Sequence, residues 1–223
     1  MLRRAKERID RFRAGSPSLD CAKQTLGSSY GSHTVCLDGL SDQSIIYSAG
    51  IGEDISFDLA VIEATGATVH GFDPTPRSLE WLATQSLPSQ MQVHAYGLAS
   101  FDGTAMFNPP RNPNHISHTL LDRPETAADA FEVQLKRVRT IAAELGHTKI
   151  DVLKLDIEGA EYDVFDDLEQ DDLVVDQLLI EFHHQFESIS FGRTQRAVKQ
   201  IEAMGLQLFH ISPCAREYSF LRA

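Results

Sequence analysis

The residues of this 223-residue chain that could do chemistry sit at the ends of short apolar runs. Gly50 and Gly52 follow the first run in Ser48-Ala49-Gly50-Ile51-Gly52-Glu53-Asp54, and Asp73 ends the next in Gly71-Phe72-Asp73-Pro74. Tyr96-Gly97-Leu98 ends a third, Asp156 and Glu158 a fourth, and Glu181, His183 and His184 a fifth. In an open parallel sheet, ligands bind outside the carboxyl ends of the strands where strand order reverses, so these groups should converge on one rim. Glycines there let a ligand approach the backbone, and Asp73 can accept hydrogen bonds from both hydroxyls of a ribose. The pattern describes a nucleoside cofactor seated across two adjacent strand ends.

The loop also bears on which cofactor. A dinucleotide requires G-x-G-x-x-G, with the pyrophosphate at a helix N-terminus. Here the third position is Ile55, and Glu53 and Asp54 fall where the pyrophosphate would lie. Carboxylates facing a charged phosphate group repel it, whereas a sulfonium with an amino-acid tail presents an ammonium that welcomes an acid. The expected cofactor is therefore S-adenosyl-L-methionine, with Ser48, Gly50, Gly52, Asp54, Asp73, Gly97, Leu98 and Asp156 around it. Two alternatives stand beside it: an NAD(P)-dependent oxidoreductase on a related sheet, and a non-catalytic cofactor-binding interaction module. Simpler roles are a tight turn for the glycines, helix or turn caps for Asp54 and Asp73, and a first-turn helix acid for Glu158.

Methyl transfer is an in-line displacement that needs a positioned acceptor oxygen and removal of its proton. His183 titrates in a range suited to that removal, and Asp156 can orient it or the acceptor, with Glu181 on the neighbouring strand end. Asp156, Glu181 and His183 are thus the expected catalytic set. The same three would also make an oxygen-rich divalent metal site, but nothing in their spacing demands one, and no metal is expected. Of the histidine pair, one should point inward and the other to solvent. His115 and His118 read as solvated loop residues, or as a lid over the acceptor.

The elements that position these residues follow from periodicity. Ser44 to Tyr47 reads as a buried strand, and Ile55, Leu59 and Ile62 form one helical face that ends at Gly66. Ala67 to Phe72 is a second strand, and Thr75-Pro76 supplies the cap and first-turn proline of a helix through Leu79 and Leu82. Strands follow over 92–96 and, half-exposed, over 131–136, then a short helix ending at Gly146, a buried strand over 150–157 and a helix through Tyr162 and Phe165. A strand over 175–182 and a helix over 193–204 come next. The last two strands, 206–211 and 218–221, are separated by too few residues for a parallel crossover, so if they pair they are antiparallel. The alternation implies an α/β fold with a mostly parallel sheet covered by helices on both faces. Segments 15–43, 103–130 and 183–192 read as irregular and would build the acceptor pocket.

Composition narrows the class. Hydrophobic residues make up 42% of the chain and the formal net charge is −12, which suits a packed globule and argues against a nucleic-acid partner. The basic run Arg3, Arg4, Lys6, Arg8, Arg11 and Arg13 is broken by Glu7 and Asp10 and reads as a solvated helical face. Cys21, Cys36 and Cys214 are scattered, which fits a reducing, cytoplasmic setting rather than a disulfide framework. No run is long enough to span a bilayer, and the first residues are too charged for a secretory signal. The expected organisation is an N-terminal helix and lead-in over 1–43 and a cofactor-binding domain over 44–223. The expected partner is a small-molecule acceptor; the oligomeric state is not legible.

Four blocks resemble the FkbM-type methyltransferases, and within them the methyltransferase-like protein 24 branch. They are Tyr47 to Asp58, His70 to Pro76, Val152 to Glu161 (Val-Leu-Lys-Leu-Asp-Ile-Glu-Gly-Ala-Glu) and Leu179 to His184. The third is the most specific. The resemblance implies a Rossmann-like, seven-stranded class I methyltransferase sheet with a final antiparallel strand. It also implies methyl transfer from S-adenosyl-L-methionine, often to a hydroxyl of a sugar or natural product. The more common family loop reads D-x-G-x-N-x-G; here Ser48 replaces the acid and Glu53-Asp54 follows the second glycine.

Overall fold

The computed structural model describes residues 9–110, 118–121, 126–169 and 172–222. After α1, described over 9–13, come β1 (Lys23–Leu26), β2 (His33–Cys36), β3 (Ile45–Ala49), α2 (Ser56–Thr65), β4 (Thr68–Phe72), α3 (Pro76–Leu82) and β5 (Met91–His94). Then follow β6 (Gly97–Leu98), β7 (Gly103–Phe107), β8 (Phe131–Lys136), α4 (Val138–Leu145), β9 (Lys149–Leu155) and α5 (Glu161–Leu168). The chain closes with β10 (Val174–Glu181), α6 (Phe191–Ala203), β11 (Leu206–Ile211) and β12 (Glu217–Arg222).

Seven strands form the main sheet in the order β11-β12-β10-β9-β3-β4-β5. The five from β10 to β5 are parallel, and β12 runs antiparallel to both β10 and β11. The turn between β11 and β12 is too short to carry a chain back across the sheet, so β12 has to reverse. Strand order reverses between β3 and β9, which places the ligand rim at their carboxyl ends.

Adjacent strand residues divide between two cores, as a period of two requires. Tyr47, Leu153, Leu178 and Ile180 pack with Val138 and Ile141 of α4, Val164 and Phe165 of α5, and Ile201 of α6. Ile46, Val152 and Leu179 pack with Phe57, Val61 and Ile62 of α2 and Leu82 of α3. Helices therefore cover both faces. At seven to ten residues, α2 to α5 are too short to persist alone, and burial of these apolar faces is what holds them. Gly66 and Gly146 end α2 and α4 in left-handed conformation, as their positions in the sequence indicate. No described helix is long and apolar enough to cross a membrane.

Two pieces of secondary structure lie in segments that read as irregular. In the lead-in, β1 and β2 form an antiparallel hairpin. Its backbone is tied down by side chains of the main sheet: Gln177 donates to Cys36 O at 2.8 Å and accepts from Cys36 N at 3.1 Å, and Ser219 Oγ donates to Thr34 O at 2.7 Å. In 103–130, β7 pairs antiparallel with β8, and with β6 they make a second, three-stranded sheet.

One partly buried histidine cluster should make the fold sensitive to acid. His70 stacks on His94 with ring centroids 5.3 Å apart, and their Nδ1 and Nε2 atoms lie 3.1 Å apart. Tyr47 Oη lies 2.8 Å from His147 Nδ1. Burial, then the neighbouring imidazoles His147 and His94, pushes His70 down to about 4; burial also lowers His94 and His147. These groups are depressed in the folded state, so their contribution is whole above the unfolded histidine value of about 6.5 and is lost as pH falls from there towards 4. Thermal unfolding scans should show Tm falling between pH 7 and pH 5, with a shallower fall in His70→Phe. An unchanged slope in that variant would remove the cluster as the cause.

Candidate active site

The rim begins where the backbone leaves β3. Gly50 N donates to Phe72 O at 3.0 Å and Asp156 N donates to Ala49 O at 3.2 Å, so the ladders run one step beyond the strands. Gly50 has φ +75°, and a Cβ there would lie 1.7 Å from Asp156 O. Only glycine fits. Beneath the loop, the buried Lys154 places Nζ 3.4 and 3.3 Å from the carbonyl oxygens of Ala49 and Gly50. Burial raises the carboxyl of Asp58 on α2, and the charge of Lys154 opposes that rise.

Asp73 ties the loop to the next crossover. Its Oδ2 accepts from Gly52 N at 2.8 Å, and its Oδ1 accepts from Thr75 N at 2.8 Å and Thr75 Oγ1 at 2.6 Å. A carboxylate has about four lone-pair sites. Protein donors take three, which leaves Oδ2 able to accept from one ligand hydroxyl rather than from two. The Thr75 hydroxyl makes no cap bond to the α3 backbone; it donates to Asp73 and lies 2.6 Å from Ser78 Oγ on that helix.

An open cleft with about 90 Å³ of enclosed space lies over this rim. Gly50, Gly52, Asp73, Gly97, Leu98 and Asp156, all expected at the cofactor, line it together with Glu158. Its walls come from residues the sequence reading did not assign: Tyr30 in the β1–β2 turn, Phe107 at the end of β7, and Leu120. These lie in two of the three irregular segments, and apolar side chains in otherwise polar loops were the available signal. His118 also lines the cavity and packs edge-on against Phe131 at 5.2 Å, so it is a wall residue rather than a solvated one. His115 lies outside the described residues.

Other expected residues lie away from the cavity. Ser48 is fully buried, and its hydroxyl faces the Asp58 carboxyl. Asp54 accepts from Ser28 Oγ at 2.6 Å and Ser56 N at 2.8 Å, pinning the hairpin turn to the start of α2. Burial works to raise its carboxyl, but these hydrogen bonds outweigh burial and hold it below its ordinary value. Glu53 forms a two-pronged pair with Arg77 at 2.7 and 3.1 Å. The two acids expected to face a pyrophosphate are thus turned onto protein partners, and the acids that line the cavity are Asp73, Asp156 and Glu158.

Behind Asp156 and Glu158 lies a buried layer. Glu161, fully buried at the start of α5, accepts from Gly159 N and His183 N, each at 2.9 Å, and its Oε1 lies 3.1 Å from His183 Nδ1. His183 Nε2 points the other way, 3.6 Å from Asp156 Oδ1 and 3.5 Å from Glu158 Oε2. Burial opposes a charge on His183, yet Glu161, Glu158 and Asp156 overcome it and push the imidazole up to about 10. Left to these neighbours His183 holds its proton at neutral pH, so it is not the poised base that its residue type suggests. Glu181 pairs with Arg216 at 3.2 Å; burial, then the charge of Asp156, pushes it up to about 7. Both histidines of the pair are buried, contrary to the in-and-out expectation: His184 Nδ1 lies 3.2 Å from Thr194 Oγ1.

The family model for the Methyltransferase FkbM domain matches residues 46–207. Probable methyltransferase-like protein 24 of Homo sapiens is 28% identical over 195 residues, aligned to 79% of this chain and 47% of its own length. The Rattus norvegicus protein of the same name is 30% identical over the same extent. The chain spans about half the length of the curated relatives it matches. A fibrillarin pre-rRNA processing protein of Methanococcus jannaschii shares the fold, with a TM-score of 0.50 at 10% identity over 82% of this chain and 67% of its own.

Gly50→Ala should destabilise the protein by more than about 2 kcal/mol, because the added methyl meets main chain that cannot move aside. Urea unfolding should show a lowered midpoint. An unshifted midpoint would mean that the β3 and β9 backbones can separate.

Proposed function

Since the chain belongs to the FkbM methyltransferase family, we propose that it binds S-adenosyl-L-methionine across the ends of β3 and β4 and methylates an oxygen of a small polar acceptor. The observation that carries this reading is the joint placement of Gly50, Gly52 and Asp73 at the point where strand order reverses. There the backbone is open to close approach, and Oδ2 of Asp73 keeps a lone pair for a ribose hydroxyl. Gly97 and Leu98 flank the same cavity and offer an apolar surface to an adenine. The acids on the rim disfavour a pyrophosphate and suit a cationic donor.

In the reaction, the acceptor oxygen attacks the methyl carbon in line with the carbon–sulfur bond. That bond breaks, its electrons pass to sulfur, and S-adenosylhomocysteine leaves as the acceptor hydroxyl gives up its proton to water in the open cavity. Asp156 and Glu158 face the cavity and supply acceptors for hydroxyl groups there. Most of what this rim contributes is orientation. Tyr30, Phe107 and His118 bound the acceptor side.

Isothermal titration calorimetry should give saturable binding of S-adenosyl-L-methionine and none of NADH. Asp73→Asn, checked for folding by circular dichroism, should weaken donor binding roughly 10–100-fold, the scale of a lost charge-assisted hydrogen bond. Undiminished affinity in a folded variant, or tighter binding of NADH, would overturn the assignment.

A further inference from the structure

The three donor atoms of Asp156, Glu158 and His183 lie within 4.8 Å of one another. We propose that these side chains bind one divalent cation of the manganese kind at the floor of the cavity. The ion's role in methyl transfer rests on the function proposed above; its binding does not.

Geometry carries the inference. His183 is 3% exposed, and its Nδ1 faces the carboxylate of Glu161 at 3.1 Å. A carboxylate only accepts, so Nδ1 carries the hydrogen and the lone pair of a neutral ring sits on Nε2. That nitrogen points at two carboxylate oxygens, which also present only lone pairs. A cation seated between them would be met by all three lone pairs. A proton shared with either oxygen would draw it to about 2.7–2.9 Å, yet the oxygens stand at 3.5 and 3.6 Å. Such separations leave room for one ion between the three donor atoms, which would draw in by a few tenths of an ångström around it.

The surroundings have the layout of a metal centre. Glu161 is the outer partner that fixes the ring and its tautomer, and it is itself held by Gly159 N and His183 N. Glu158 is held at φ +53°, a conformation that costs a non-glycine residue energy and that collects at ligand sites. Asp156 and Glu158 both line the open cavity, so an ion there would keep positions for an acceptor oxygen. One imidazole nitrogen with two carboxylates suits a borderline-hard divalent ion. The sequence reading grouped Asp156 and His183 with Glu181, but Glu181 is turned to Arg216 and Glu158 takes its place. An ion here lowers the pKa of an acceptor hydroxyl, whose proton passes to water before the oxygen attacks.

The test is titration of chelator-treated full chain with Mn2+, followed by electron paramagnetic resonance without methyl donor. One saturable site per chain is expected. Glu158→Gln should abolish it, and Glu161→Gln should weaken it roughly 10–100-fold. Because Glu161→Gln also alters the buried layer, Glu158→Gln at the cavity surface is the deciding variant, with circular dichroism to confirm its fold. No saturable binding to folded wild-type chain, or equal binding by folded Glu158→Gln, would overturn the proposal. A chain that binds Mn2+ but no S-adenosyl-L-methionine would keep the metal site and remove the methyl-donor reading.

Discussion

At the centre of the sheet two main chains meet with no room for a side chain between them. Gly50 passes so close to the carbonyl of Asp156 that even a methyl group would overlap it. That contact sets how far β3 and β9 run together before they diverge, and so where the rim lies. The hydrogen bonds from Gly50 N to Phe72 O and from Asp156 N to Ala49 O hold the divergence point from both sides. Lys154 lies beneath it with its ammonium near two loop carbonyls. The glycine's freedom at positive φ is a consequence of this packing as much as of the turn.

A second constraint operates one layer deeper. Glu161 is fully buried, a placement that is tolerable only when the carboxyl group is well supplied with hydrogen-bond partners. Two backbone N–H groups and an imidazole supply it. In satisfying itself, the carboxylate joins the start of α5 to the segment after β10 and aims His183 at Asp156 and Glu158. Asp73 does comparable work on the other side of the rim, where it joins the glycine loop to the start of α3. In both cases an acid that could be taken for a ligand group also organises backbone.

The cavity walls belong to less regular parts of the chain. The β1–β2 hairpin brings Tyr30 over the rim and is anchored through Gln177, Ser219 and Asp54. The small sheet of β6, β8 and β7 supplies Leu98 and Phe107. The β1 strand is exposed along most of its length, and β7 alternates between half-buried and exposed positions without one fully buried residue, so burial left little mark on these two strands. Their order comes from long-range side-chain-to-backbone bonds and from pairing with β8.

The sequence by itself determined the alternation of strands and helices, the reversal at the last strand and the set of strand ends that form the rim. These follow from local causes: apolar runs, helical periodicity, glycine at helix ends, and a turn too short for a crossover. Tertiary structure decided where each acid points. Glu53 and Asp54 sit beside Gly52 in sequence yet turn to Arg77, Ser28 and Ser56, while Glu158 enters the cavity. It also decided the state of His183, whose residue type suggests titration near neutrality but whose three carboxylate neighbours come from the β9–α5 loop and the start of α5. Backbone path is encoded over a few residues, whereas the direction and charge of a buried polar group depend on partners that only folding brings within a few ångströms.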